Sequence, residues 1–177
     1  MRIEKEIISK VRKDYFFVSG IFNDIDAKYF KKRIDEGVQS STLNFQTNVV
    51  GKHTEWKFFN KDDNFGLLLL QMLDYIDDLN VELEKFYLHE AWGLIETFGG
   101  YTKRHSHAPH YISGVLYLTD HYQKLHFPDI HQEITPKVGR FVLFSSFLKH
   151  YTKRNLKHKA KYAISFNFSG AVVGDKL

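Results

Sequence analysis

Residues 161–169 read Lys-Tyr-Ala-Ile-Ser-Phe-Asn-Phe-Ser, and their alternation predicts a β-strand. Large apolar side chains recur at every second position: Tyr162, Ile164, Phe166 and Phe168. Because successive side chains of a strand point to opposite faces, the pattern predicts one buried face and one more polar face. We expect this strand to continue to Val173. Shorter strand-like runs precede it, at residues 88–97, 112–119, 124–127 and 141–145.

The chain ahead of these strands carries the signals of two helices. Asp24 or Asp26 is placed to cap a first helix that runs through Ile34 and ends near Gly37. A second helix is expected to begin near residues 62–64, because apolar side chains then recur at spacings of three and four. These side chains are Leu69, Met72, Leu73, Ile76, Leu79, Leu83 and Phe86. Residues 38–60, between the helices, are expected to form strand and loop.

Helices followed by short strands predict a mainly β fold, a β-sandwich or jelly roll with the N-terminal helices packed on the outside. The 177 residues contain no internal repeat, low-complexity tract or Pro/Gly-rich linker, so we expect a single domain spanning 1–177. Residues 1–86 would form its helix-containing part and residues 87–173 its β core.

Composition limits the chemistry. The chain has no cysteine, which excludes a disulfide framework, a thiolate zinc site, an iron–sulfur cluster and a cysteine nucleophile. Any metal must therefore be held by His, Asp or Glu. The start of the chain lacks the apolar core of a signal peptide, and the longest apolar run, residues 67–70, is far too short to span a bilayer. We expect an intracellular, cytoplasmic protein without a membrane partner.

Positive charge is concentrated in one stretch. The chain has 25 Lys and Arg against 21 Asp and Glu, a net charge of +4. Six of the basic residues and no acidic residue lie between Lys149 and Lys161. We expect most of them to form a solvated basic loop. No nucleic-acid-binding module accompanies them, so no nucleic-acid partner is predicted.

Histidines cluster in the second half of the chain, where seven of the ten lie between His105 and His150. On a strand, the side chains of His105 and His107 point the same way and can reach one metal ion. His150 follows the apolar run 141–144 and is the best candidate for a third ligand. Three ligands on one face leave about three open positions on an octahedral ion. The pair alone is equally compatible with surface or hydrogen-bonding histidines. Four further histidines are not expected to be ligands: His110, His121, His126 and His131.

Residues 105–118 read His-Ser-His-Ala-Pro-His-Tyr-Ile-Ser-Gly-Val-Leu-Tyr-Leu and resemble the metal-binding segment of iron(II)/2-oxoglutarate oxygenases. The pattern is similar to a branch found in bacteria and tailed phages and related to the prolyl hydroxylases. That branch reads His-x-His-Pro, Ser-Gly-Val-Tyr-Tyr-Leu, Gly-x-Leu-x-Leu-Phe-Pro-Ser-x-Leu-x-His and Arg-Ile-Ser-Ile-Ser-Phe-Asn in this order. The chain has counterparts at 113–118, 125–129, 139–150 and 161–167, and the resemblance covers about residues 45–170. Thr47, Asn48, Trp56 and Trp92 also match.

The resemblance implies a double-stranded β-helix that binds Fe(II), uses 2-oxoglutarate as co-substrate with O2, and hydroxylates a substrate that the sequence does not identify. His105 matches the first metal ligand and His150 the distal one. His107 stands where most members carry Asp. Either the site has three histidines, or a carboxylate comes from Asp129, Asp120 or Glu133. Imidazole ligands also suit zinc or nickel.

The resemblance also implies a site for the far carboxylate of 2-oxoglutarate. Lys161 falls where the family pattern has Arg, and a Lys offers one point charge in place of a planar fork. The hydroxyl of Tyr117 can donate to the same carboxylate. An ordinary strand lysine and a core tyrosine are the alternatives for these two residues. Trp92 and Asn167 are expected to be core or sheet residues, with a supporting contact to a ligand open to Asn167.

Three functions stay open at this point. The first is an Fe(II)/2-oxoglutarate-dependent hydroxylase; the second is a jelly-roll binding or accessory protein that has lost turnover; the third is a three-histidine, cupin-like dioxygenase that does not use 2-oxoglutarate. Positive charge flanks the candidate ligands at Lys103, Arg104 and residues 149–154, which favours an anionic prime substrate. The branch occurs in phages as well as bacteria, so either source fits. The oligomeric state is not specified by the pattern.

Overall fold

The computed structural model describes residues 3–4, 15–42, 47–77 and 86–170. Two helices lie in the N-terminal half of these ranges, α1 (Ala27–Ser40) and α2 (Asp63–Asp77). The strands before and between them are β1 (Ile3–Glu4), β2 (Phe17–Phe22), β3 (Val49–Val50) and β4 (Lys52–His53). The later strands are β5 (Phe86–Glu96), β6 (Tyr101–Thr102), β7 (Ile112–Tyr117), β8 (Leu125–Phe127), β9 (Gln132–Ile134), β10 (Arg140–Ser145), β11 (Tyr151–Thr152) and β12 (Lys161–Gly170). A 3-10 turn, Pro128–Ile130, separates β8 from β9.

The strands form a large sheet and a smaller one. The large sheet has the order β1-β2-β10-β7-β12-β5-β4, and its strand pairs are antiparallel. The smaller sheet is made of the ladders β11-β8-β9 and β3-β6. An isolated backbone bridge pairs His105, three residues after β6, with His150, immediately before β11, and so brings these two ladders together. The mainly β architecture is the one predicted.

Two apolar clusters hold the layers together. One lies between the sheets and includes Phe17, Val115, Phe127 and Phe144. The other packs the opposite face of the large sheet against both helices and includes Ile34, Phe65, Leu116, Phe141 and Phe166. The helices therefore lie outside the sheets, as predicted. Among the described residues, no helix is long and apolar enough to cross a membrane.

The two helices differ from the prediction at their ends. Asp26 caps α1 by accepting a hydrogen bond from the backbone N–H of Tyr29 at 2.9 Å, but the helix passes Gly37 and ends at Ser40. A Cβ on Gly37 would lie 2.6 Å from the side chain of Thr54, so this glycine allows close packing and does not end the helix. The structure describes α2 to Asp77, and the predicted positions Leu79 and Leu83 lie outside the described residues.

Phe86 was wrongly assigned to the second helix: it begins β5, which runs antiparallel to β12. The other predicted strands are present with ends shifted by a few residues, and β12 is described to Gly170, so the expected extension to Val173 lies outside the described residues. The sequence did not predict β2, which is almost fully buried and pairs with β10 in the large sheet. A strand buried on both faces has no alternation to reveal it.

Candidate metal centre

Three histidine rings converge at one end of the space between the sheets. One ring nitrogen from each of His105, His107 and His150 lies within 4.8 Å of the others. Their positions are set by the backbone, because the N–H of His105 donates to the carbonyl of His150 at 3.1 Å and the reverse bond is 2.9 Å. The N–H of His107 donates to the carbonyl of Ser146 at 2.8 Å. The predicted trio is thus brought together by the smaller sheet and the loop before β7.

Two of the rings have a fixed tautomer. Nδ1 of His105 lies 2.8 Å from the carbonyl oxygen of Lys103, and Nδ1 of His150 lies 3.0 Å from that of Leu148. A carbonyl oxygen only accepts, so in the neutral ring Nδ1 carries the hydrogen and Nε2 keeps a lone pair. Backbone contacts of this kind orient histidines that bind metals.

His107 has a different environment. Its Nδ1 lies 3.4 Å from the amide nitrogen of Asn167, which also donates to Oε1 of Glu90 at 2.7 Å. The hydroxyl of Ser113 donates to the Oδ1 of the same amide at 2.7 Å, so the orientation of Asn167 is fixed from both ends. An amide nitrogen only donates, which leaves the hydrogen of the neutral His107 ring on Nε2. Metal binding through this Nε2 therefore requires the other tautomer and gives up the contact to Asn167.

The three rings are uncharged at neutral pH. Burial, followed by the electrostatic effect of neighbouring histidines, lowers the pKa of His150 to about 3 and that of His107 well below its usual value. Burial also lowers the pKa of His105, against the effect of its hydrogen bond to Lys103. Neutral imidazoles are the form that binds a metal ion.

The metal-free protein is expected to lose stability as the pH falls below about 6.5. The histidines are then protonated in the unfolded chain, whereas the buried rings of the folded protein stay neutral because their pKa values are lowered. With a folded-state pKa of about 3 for His150, its contribution to the loss between pH 7.5 and pH 5 is about 2 kcal/mol. His105 and His107 act in the same direction. Urea unfolding with a chelator at both pH values measures this, and His150→Gln should show a shallower pH dependence. An equal free energy of unfolding at both values would contradict the expectation.

The carboxylates considered as alternative ligands have other partners. Asp129 accepts from Arg104 Nη2 at 3.1 Å and from the backbone N–H of Lys149 at 3.2 Å. Asp120 accepts from the backbone N–H of Val138 at 2.8 Å. Glu133 lies 2.7 Å from Lys124 and 3.0 Å from the ring of His126. The group formed by His105, His107 and His150 includes no carboxylate.

A pocket between the sheets opens onto the three rings. Its lining includes the three histidines together with Tyr117, Lys161 and Glu96. Lys161, Ala163 and Ser165 all line it, so the polar face predicted for the last strand faces this pocket and not bulk solvent. The two residues expected to hold an anion, Lys161 and Tyr117, are therefore in one cavity with the metal trio.

Lys161 is already paired with an acidic residue. Its Nζ contacts Oε2 of Glu96, and the two side chains are only 4% and 2% exposed. The other oxygen, Oε1 of Glu96, accepts hydrogen bonds from Thr102 and Thr152, each at 3.2 Å. Burial lowers the pKa of Lys161, and the attraction of Glu96 opposes that effect. Burial and the nearby Glu96 raise the pKa of Tyr117, so its hydroxyl stays protonated and able to donate.

The sequence did not single out Glu96. It is the direct cross-strand partner of Lys161 in the β5–β12 ladder, and opposite charges at such positions stabilise each other. The sequence shows an acidic residue at the end of an apolar run. Its role becomes apparent only when the register between β5 and β12 is known. Trp92 is buried and packs edge-on against Trp56 with ring centroids 5.0 Å apart, in agreement with its expected core role.

Comparison with known proteins finds solved structures of similar fold. No protein-family model matches the chain, and no curated protein matches it. The viral collagen prolyl hydroxylase of Paramecium bursaria Chlorella virus-1, in its 2-oxoglutarate complex, matches with a TM-score of 0.68 and 14% identity, over 90% of this chain and 97% of that one. HygX of Streptomyces hygroscopicus, with nickel and 2-oxoglutarate bound, matches with a TM-score of 0.65 and 13% identity, over 89% and 83%.

A third solved structure is that of SnoK, a non-haem α-ketoglutarate-dependent carbocyclase of nogalamycin biosynthesis. It matches with a TM-score of 0.67 and 11% identity, over 89% of this chain and 79% of that one. At such low identity the likeness concerns the fold. The predicted double-stranded β-helix fold is thereby confirmed, and it is the fold of oxygenases that carry out several different reactions.

Proposed function

We propose that the protein is a non-haem Fe(II)- and 2-oxoglutarate-dependent oxygenase that hydroxylates its substrate. The observation that carries the proposal is the convergence of His105, His107 and His150 in one pocket with Lys161. Three uncharged imidazoles suit a divalent ion of the Fe, Ni and Zn group, and an octahedral ion would keep about three positions for other ligands. The structural neighbours that bind 2-oxoglutarate support the same assignment.

The bound iron would supply the oxidation: one oxygen atom of O2 would go into succinate as 2-oxoglutarate loses CO2, and the other would be inserted into a C–H bond of the substrate. The chain's own residues bind, orient and exclude water. His105 and His150 keep their Nε2 lone pairs aimed by backbone hydrogen bonds. The apolar wall of the pocket, which includes Leu125 and Phe144, limits access of water to the reacting centre.

The co-substrate's far carboxylate would lie against Lys161 and the hydroxyl of Tyr117. This contact is expected to be weaker than the contact of a carboxylate with an unpaired lysine. Glu96 neutralises the charge of Lys161 and would repel a second carboxylate. Binding of the dianion therefore requires Lys161 to bridge two carboxylates, with Thr102 and Thr152 holding Glu96 in place. We expect a modest affinity for 2-oxoglutarate.

The prime substrate is proposed to be anionic. Lys103, Lys149 and Lys153 are exposed and flank the metal-binding segments, whereas Arg104 is paired with Asp129. These lysines lie close in sequence to the candidate ligands, and their positive charge would favour an acidic peptide, a nucleotide or a small acid over a cation as the substrate. A cytoplasmic site of action belongs to the same proposal.

The test is anaerobic loading with Fe(II), followed by titration of 2-oxoglutarate and measurement of succinate release with and without O2. We expect metal-dependent binding of 2-oxoglutarate and slow succinate release that needs both O2 and Fe(II). The variant Glu96→Gln should bind 2-oxoglutarate more tightly. Adding Lys161→Met to that variant should weaken binding by about tenfold or more and leave metal affinity unchanged, since a charge-assisted hydrogen bond contributes about 1.5–3 kcal/mol.

The exposed Lys28→Met, on helix α1 outside the sheets, provides the matched control, and its affinity for 2-oxoglutarate should equal that of the wild type. Equal affinity in Glu96→Gln with and without Lys161→Met would show that the co-substrate assignment is wrong. Failure of the protein to bind any divalent metal would overturn the oxygenase proposal and leave the jelly-roll binding protein as the function.

A second candidate function is favoured by Glu96. A three-histidine dioxygenase that does not use 2-oxoglutarate needs no free cation in the pocket, and here the cation is neutralised by a buried carboxylate. Stoichiometric Fe(II) binding without measurable affinity for 2-oxoglutarate would select this candidate. The same titration therefore separates the two functions.

A further inference from the structure

A second group of metal-binding side chains lies beside the metal trio. One ligand atom from each of His89, Glu90 and His110 lies within 4.8 Å of the others. All three residues are partly buried, and the side chains of His110 and Glu90 are 17% and 19% exposed. None of them is needed by the proposed oxygenase chemistry. Their donor set, two imidazoles and one carboxylate, is one that binds transition metals in open sites.

An irregularity of β5 brings His89 and Glu90 to one side of the sheet. Neighbouring residues of a regular strand point to opposite faces, so they cannot both reach one ion. In the β5–β12 ladder Asn167 pairs with Glu90 and the next residue, Phe168, pairs with Leu88, so His89 has no partner in the register. This is a β-bulge, and bulges redirect side chains. The side-chain amide of Asn60 donates to the carbonyl of His89 at 3.1 Å and holds the bulge.

The third member comes from the loop that carries His107. The backbone N–H of His110 donates to the carbonyl of His107 at 2.9 Å, and its Nδ1 lies 2.8 Å from the hydroxyl of Ser169. The ring is thus held from two sides. Its centroid lies 4.9 Å from that of His89, and its Nε2 faces Glu90.

The distance between Nε2 of His110 and Oε1 of Glu90 fits a metal ion bound between them better than a hydrogen bond. Nε2 of His110 is 3.6 Å from Oε1 of Glu90, which is longer than a good hydrogen bond. Two ligands at ordinary zinc distances, about 2.1 Å each, are about 3.4 Å apart at a tetrahedral angle. A zinc-sized ion therefore fits between these two atoms with little movement.

We propose that His89, Glu90 and His110 form a second binding site for a divalent transition metal ion such as Zn²⁺. The site is linked to the first by a short chain of contacts, since Oε1 of Glu90 accepts from Asn167, whose amide nitrogen is 3.4 Å from His107 Nδ1. A metal ion bound to Oε1 of Glu90 would compete with the hydrogen bond that this oxygen accepts from Asn167.

The experiment is a count of Zn²⁺ bound per chain by equilibrium dialysis and elemental analysis, with calorimetric titration of the same samples. The wild type should bind two ions, and His110→Ala should bind one. His150→Ala should also bind one, and the double variant none. His158→Ala is the matched control, since this exposed ring stacks on Phe98 and belongs to neither group; it should bind two.

Co²⁺ in place of Zn²⁺ gives an optical readout that does not depend on catalysis. His110→Ala and Glu90→Gln should each remove the same part of the visible absorption spectrum, and His150→Ala a different part. One ion in the wild type that is lost in His150→Ala but kept in His110→Ala would overturn the second site. One ion lost in His110→Ala but kept in His150→Ala would support it and instead count against the proposed catalytic centre.

Discussion

Replacing His150 with Ala is expected to abolish metal binding at the first centre, with a loss in affinity of about 100-fold or more. The ring is 5% exposed and packs against Phe127 and Phe144, so water cannot easily take its place as a ligand. Its Nε2 lone pair is also available to a metal ion, because the hydrogen bond to the carbonyl of Leu148 fixes the tautomer. Calorimetric titration of Fe(II) under argon, in a His110→Ala background that removes the proposed second site, measures the effect directly.

Two control variants test whether a loss of metal binding comes from misfolding. His150→Gln keeps more of the buried volume and should lose metal binding while it still unfolds cooperatively. His158→Ala removes an exposed histidine and should bind Fe(II) as tightly as the parent. Retention of parental affinity in a folded His150 variant would show that the trio is not the metal centre.

Removing either charge of the Glu96–Lys161 pair is expected to cost about 3–5 kcal/mol of folding stability, because the remaining charge would be buried without its partner. Among the described residues, Lys161→Met leaves the carboxylate of Glu96 with the hydroxyls of Thr102 and Thr152 as its hydrogen-bond donors. Glu96→Gln leaves the ammonium of Lys161 in a pocket whose other walls are largely apolar. Urea unfolding at pH 7.5 gives both values.

The double variant Glu96→Gln/Lys161→Met should recover most of the stability lost by either single change, since no unpaired charge remains. 2-Oxoglutarate or succinate should raise the melting temperature of Glu96→Gln more than that of the wild type, because the anion takes the place of the lost carboxylate. Additive losses in the double variant would contradict this account of the pair. An exposed salt bridge, Lys124–Glu133, serves as a control whose removal should change stability by at most about 1 kcal/mol.

The local sequence pattern was sufficient to predict the helices and strands that have one polar or solvent-exposed face. The α1 cap at Asp26, the start of α2 and the alternation of β12 are all properties of short stretches, and the structure contains each of them. The strand β2 was missed because both of its faces are covered. Phe86 was misassigned because the apolar spacing of the preceding helix happens to continue to it.

The candidate site was predictable where it depends on neighbours in sequence. His105 and His107 are two residues apart, and His150 follows a recognisable strand. The role of Glu96 could not be predicted from the sequence, because it depends on which residue of β12 lies opposite Glu96. His89 and Glu90 were out of reach for a related reason, since an ideal strand would place them on opposite faces and only the bulge makes them neighbours.

The reciprocal backbone bonds between His105 and His150 have a consequence for the biogenesis of the protein. These two residues close the smaller sheet, so two ligands of the proposed centre meet only when that closure has occurred. A nascent chain that has emerged from the ribosome only as far as His107 holds two imidazoles and no enclosing cavity. If the trio binds a metal ion as proposed, the complete site forms only after His150 has been synthesised, and the exchange rates of the amide protons of His105 and His150 would report when the bound ion has stabilised this backbone bridge.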